Sequence, residues 1–179
     1  MNVRYINPFV TSTKNVFATM LNTHVLIGKA RVREPDEARA DVAALIGFSG
    51  DASGSVRLCF SRITAVRVAS KFAETDVAPA SPELADALGE LANMVAGHAK
   101  ASLEGLDVSI SLPRVLLGGT DALPAGSHSP VLVLPCDSAL GRFSVEVTMD
   151  TCLPPAPLPD LGRPTGSPIE AGGPPHATV

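Results

Sequence analysis

The sequence predicts an α+β fold: a single domain in which an antiparallel β-sheet of about six strands packs with three helices. Three observations lead there. Helix and strand signals follow one another without the regular βαβ alternation that a doubly wound sheet requires. Phe143, Val145, Val147 and Met149 alternate with Ser144, Glu146 and Thr148, the period-two pattern of a half-buried antiparallel strand. The chain has 179 residues, 45% hydrophobic and 18% charged, which suits one ordinary globular domain. Aromatic residues are only 4% and Trp is absent, so Val, Leu, Ile and Ala must build most of the core.

The first element is a helix. Asn7 suits the N-cap and Pro8 the first helical position. Phe9, Thr13, Val16, Phe17 and Met20 then recur at helical spacing and should face the core. His24–Arg33 and Asp41–Phe48 read as strands. Gly50-Asp51-Ala52-Ser53-Gly54 reads as a hairpin turn into a strand that ends at Phe60. Ser61 can cap a second helix, with Ala65, Val66, Ala69 and Phe72 on its inner face. After a loop from Asp76, Ser81-Pro82-Glu83 combines a cap, an N1 proline and an acid near the positive end of the helix dipole. That third helix should run from Pro82 to about Glu104 and stop near Gly105. Val108–Leu117 is a strand, followed by a Gly-rich loop to Ser129. Val131–Leu134 and Arg142–Met149 complete the sheet.

Residues 153–179 hold 8 of the 16 prolines and 4 of the 15 glycines. Such a stretch cannot pack as a regular element, so 1–152 is read as the domain and 153–179 as a disordered tail. The three cysteines, Cys59, Cys136 and Cys152, are widely spaced and form no Cys-x-x-Cys, against a zinc knuckle or a disulfide framework. No apolar signal core opens the chain and no apolar run is long enough for a membrane span, so a cytoplasmic, reduced protein is expected. The formal charge is −4 with no Lys/Arg run, against nucleic-acid binding.

The third helix carries the chemistry. With about 100° per residue and Glu90 set to zero, Asp86 lies at about −40°, Asn93 at about −60°, Gly97 at about −20° and Met94 at about +40°. Leu88, Ala92, Val95 and Ala99 lie on the opposite, apolar side. One face therefore presents Asp86, Glu90 and Asn93 together. A carboxylate and an amide one turn apart can hold a water or grip a partner's charge; a merely solvated polar face has the same pattern. Gly89 and Gly97 flank this face at a cost of roughly 1 kcal/mol each relative to Ala. Such a cost suggests that something approaches the helix backbone closely, though tight packing within the domain would explain Gly89 equally well.

Other constellations are weaker. Gly47-Phe48-Ser49-Gly50-Asp51 lacks the last glycine of a nucleophile elbow and precedes a hairpin rather than a helix. Glu90-Leu-Ala-Asn93 has Asn where a di-iron helix needs His. His98 lies about 80° around the helix from Glu90, too far to share a metal. Gly118-Gly119 has no Lys-Ser/Thr successor and is no P-loop.

The run Asp86-Ala-Leu-Gly-Glu90-Leu-Ala-Asn93-Met-Val-Ala-Gly97 resembles the signature helix of the CheC/CheX/FliY phosphatases of bacterial chemotaxis. Asn7-Pro8-Phe9 through Met20, Ile46–Asp51, Ala69–Phe72 and Ser109–Pro113 resemble the CheX branch, in one continuous order over about residues 1–150. The resemblance implies a phosphatase of a phosphorylated CheY-like response regulator. It assigns Asn93 to positioning the attacking water and Glu90 to pairing with a lysine of the partner. Asp86 would either orient Glu90 or contact the partner, and Met94 and Gly97 would belong to the partner surface. The Mg²⁺ would sit on the partner, with no metal or cofactor bound by this chain. A homodimer joined through sheet edges is also implied. The alternative is a non-catalytic module of the same fold that docks a response regulator or a motor or signalling partner.

Overall fold

The computed structural model describes residues 5–79, 81–118 and 130–151. The chain runs α1 (Asn7–Leu21), β1 (Val25–Ile27), β2 (Arg31–Val32), β3 (Val42–Gly50), β4 (Ala52–Phe60), α2 (Arg62–Ala73), α3 (Pro82–Ala101), β5 (Val108–Ile110), β6 (Arg114–Leu117), β7 (Leu132–Ser138) and β8 (Gly141–Thr151). All strand pairs are antiparallel, in the order β1-β7-β8-β4-β3-β5, with β2 also on β7 and β6 also on β3. The expected tail at 153–179 and most of the Gly-rich loop lie outside the described residues.

Eight strands occupy six places in the sheet. The segment expected as one strand from His24 to Arg33 is two short strands on the same edge of β7. Pro135 accounts for the break. It sits inside β7, its carbonyl accepts the Gly28 N–H at 2.8 Å, and it has no N–H to give a continuous neighbour. Val108–Leu117 is divided likewise. Ile110 pairs with Phe48 but Arg114 pairs with Leu45, so four steps on one strand oppose three on the other, a one-residue bulge. Ser111 holds it: its N–H donates to the Gly47 carbonyl at 3.0 Å and its hydroxyl accepts the Gly47 N–H at 2.9 Å.

The three helices lie on one face of the sheet. Val42, Ala44, Ile46 and Phe48 of β3, Val56, Leu58 and Phe60 of β4, and Phe143, Val145 and Val147 of β8 form the sheet's side of the core. Few aromatics are needed, and five of the six phenylalanines meet one another. Phe17 stacks on Phe143 at 4.7 Å, Phe60 lies against Phe143 at 5.4 Å, and Phe9 meets Phe48 edge-on at 5.6 Å. The other face buries Arg57, which opposes Glu146 in register, while Arg33 donates to the Glu146 carboxylate at 3.0 Å.

Some boundaries differ from the sequence reading. Ile6, not Asn7, takes the α1 N-cap position; Asn7 and Pro8 both lie in the first turn, where an absent N–H costs nothing. Met20 is 43% exposed, and Leu21 takes the core position in the last turn. The third helix stops at Ala101 rather than near Glu104, because Ser102 and Leu103 close it with turn hydrogen bonds to Ala99 and Lys100. β7 runs on to Ser138 instead of ending at Leu134.

Candidate functional site

The helix α3 is set in place at three points. At its start the Ser81 hydroxyl accepts the Leu84 N–H at 3.3 Å. Hydrogen bonds from the Glu83 backbone N–H and the Ser81 hydroxyl hold the Glu83 carboxyl below its ordinary range. Along its inner side Leu84, Leu88, Leu91, Val95 and Ala99 are fully buried. Beside it the buried Ser12 hydroxyl of α1 donates to the Val95 carbonyl at 2.6 Å, a fixed strut between two helices. A helix so anchored presents its outer side with little freedom to shift.

That outer side carries the residues singled out from the sequence. Asp86 and Glu90 are exposed; Asn93, Met94 and Gly97 are half-buried. Met94 also packs on the edge of the core. Among the described residues, no hydrogen bond or ion pair engages the side chains of Asp86, Glu90 or Asn93. An acid, an amide and a second acid thus stand on one arc of the helix with their hydrogen-bonding capacity turned to solvent. Such a surface can hold a water and meet a cation. It carries no hydroxyl or thiol nucleophile on that arc.

The two glycines have different surroundings. A Cβ at Gly89 would lie 3.4 Å from Pro113 Cβ and 3.7 Å from Val115 Cγ2, ordinary contact distances, so Pro113 and β6 pack against the helix at this residue. The sequence left that contact unseen; a mid-helix glycine followed by a proline in the next strand was its only trace. A Cβ at Gly97 would meet nothing within 4 Å. Replacing Gly97 with alanine should therefore stabilise the domain, since the helix gains about 1 kcal/mol in propensity with no clash. A thermal melt should rise by about 2–4 °C.

The remaining candidates stay apart from this face. Ser49 lies at the end of β3, one residue before the β3–β4 turn, so no strand-to-helix elbow forms. His98 is exposed near the end of α3. Cys59 and Cys136 are buried, and burial pushes the Cys136 thiol up to about 12, which leaves it unreactive. Cys152 lies outside the described residues. Among the described residues, no three His, Cys, Asp or Glu side chains gather as a metal site, and no helix is long and apolar enough to cross a membrane.

Known proteins share this fold. The profile of the family described as "Chemotaxis phosphatase CheX" matches residues 42–137. A Thermotoga maritima protein named "CheY-P phosphatase CheX" is 30% identical over 137 residues, covering 75% of this chain and 88% of that one. The crystal structure of a chemotaxis protein CheX from Desulfovibrio desulfuricans superposes with a TM-score of 0.74 at 30% identity, covering 82% of this chain and 99% of that one. CheX from Vibrio vulnificus gives 0.73 at 28% identity, with 82% and 99% covered. With its sheet order, its three helices and its matched sequence, this chain belongs to the CheX family.

Proposed function

We propose that the chain hydrolyses the aspartyl phosphate of a CheY-type response regulator in bacterial chemotaxis signalling, with the outer arc of α3 entering the regulator's phosphorylation site. The observation that carries this is the placement of Glu90 and Asn93 one turn apart on the outer arc, with no hydrogen bond or ion pair to either side chain among the described residues. The CheY-P phosphatase activity named for the Thermotoga relative supports it. The regulator supplies the acyl phosphate and the Mg²⁺ that neutralises it; this chain contributes no metal.

Asn93 orients a water through its carboxamide, so that a lone pair faces phosphorus opposite the aspartyl oxygen. The new P–O bond forms as the bond to the aspartyl oxygen breaks, leaving a carboxylate and inorganic phosphate. Glu90 pairs with a lysine of the regulator and sets the depth and angle of docking. Asp86 adds negative charge beside it, while Met94 and Gly97 belong to the contact surface. An aspartyl phosphate is labile, so no nucleophilic side chain is needed: water is the nucleophile and its protons leave with the inorganic phosphate. A hundredfold acceleration requires only about 2.7 kcal/mol, within reach of positioning alone.

The setting is the cytoplasm, where CheY-type regulators work. The short outer strands β1, β2, β5 and β6 leave sheet edges on which a second copy can add. A homodimer should show twice the 18.4 kDa of one chain by light scattering. For the activity, phosphate release is measured from a Mg²⁺-bound phosphorylated CheY-type regulator of the same genome. Release should quicken in proportion to added protein. Tight binding of the phosphorylated regulator without quicker release would identify a docking module instead.

A further inference from the structure

We infer that Ser12 of α1 is a positioning residue for the proposed hydrolysis: its hydroxyl fixes the axial and rotational setting of α3 and so places the Asn93 carboxamide. This rests on the function proposed above. Ser12 is 3% exposed, and its hydroxyl donates to the Val95 carbonyl at 2.6 Å. A hydroxyl inside a helix ordinarily bonds a carbonyl in the preceding turn of its own helix. Thr19 of the same helix does so, donating to the Asn15 carbonyl at 2.8 Å. Ser12 instead reaches across to a second helix, just beyond Asn93 in the chain.

Packing alone does not require a serine there. Alanine would fill much the same space and is the better helix former. The Val95 carbonyl lies within α3, where the helix's own ladder supplies a donor, so the serine meets its second lone pair. What the hydroxyl adds is direction. Apolar side chains such as Leu88, Leu91 and Val95 keep most of their contact when a helix slides or turns slightly; a hydrogen bond does not. One residue of slippage would carry the carbonyl about 1.5 Å along the axis and about 100° around it. Asn93 depends on this setting, because no hydrogen bond holds its side chain among the described residues. A water held by one amide tolerates little displacement, and a shift of about 1 Å can cost a hundredfold in rate. Glu90 would meet a lysine through two flexible side chains, which tolerate more.

The test compares wild type with Ser12→Ala and with Leu134→Val, a core change in β7. All three are assayed well below their melting temperatures. Single-turnover phosphate release at saturating protein gives the catalytic rate, and binding of a beryllofluoride-activated regulator gives the affinity. Ser12→Ala should melt in one cooperative transition and lose about tenfold in catalytic rate, with affinity within about twofold of wild type. Leu134→Val should lower the melt and keep the catalytic rate within about twofold. An unchanged catalytic rate in Ser12→Ala overturns the inference, since α3 then keeps its setting without the bond. So does an equal loss in both variants, which would mark general loosening of the domain. Weaker binding at an unchanged rate also overturns it and gives Ser12 a part in docking alone. If wild type quickens no release, the proposed function fails and the inference with it; if wild type is active and Ser12→Ala equals it, only the inference fails.

Discussion

Asn93→Ala should lower the rate of phosphate release by about a hundredfold or more while leaving affinity for the phosphorylated regulator within a few-fold of wild type. The side chain is half-buried on the outer arc of α3 and makes no hydrogen bond among the described residues, so its removal leaves no unsatisfied partner in the fold. The lost step is the ordering of the water. Saturating the protein with regulator cannot restore it, and the defect falls on kcat. Glu90→Ala should behave differently. It removes the charge proposed to meet the regulator's lysine, so KM should rise as well, and more steeply at low salt where such pairing is strongest. Single-turnover release over a range of protein concentrations separates the two. A wild-type rate from Asn93→Ala would end the water-positioning mechanism, whatever the affinity.

The largest loss of stability is expected from Gly54→Ala. Gly54 lies in β4 between β3 and β8, paired with Phe48 on one side and Met149 on the other. Its φ is +150°, and a Cβ there would stand 2.1 Å from the Thr148 carbonyl oxygen and 2.7 Å from its carbon. Both are backbone atoms of a central strand, so no side chain can swing aside. The sheet must open locally or the strand must slip. A cost of about 3 kcal/mol or more is expected, which lowers the melting temperature by roughly 6–12 °C. Differential scanning calorimetry of the purified variant checks this. A melt within 2 °C of wild type would show that β4 and β8 tolerate more separation than their pairing implies.

The helices and their caps were open to a sequence reading because their signals are local. Ser61 and Ser81 do accept the N–H groups of Thr64 and Leu84, and the apolar spacing of α3 locates its buried arc. The helical wheel alone brought Asp86, Glu90 and Asn93 to one side. The sheet edges were harder. Pro135 divides β1 from β2 although it lies more than a hundred residues away, and the bulge before Arg114 depends on a register set by β3. Packing was an open reading for Gly89, but its neighbours Pro113 and Val115 come to it only once β6 has folded onto α3.

The division of α3 into a buried arc and an outer arc has an evolutionary consequence. Substitutions at Leu88, Leu91 or Val95 are policed by folding, since each side chain is fully buried. Substitutions at Asp86, Glu90 or Gly97 meet no such filter, and at Gly97 the helix even gains from a side chain. After gene duplication, one copy is free to drift toward a new regulator by changes on this outer arc while keeping its stability. On the proposed function, any constraint on those positions would come from signalling fidelity rather than from folding.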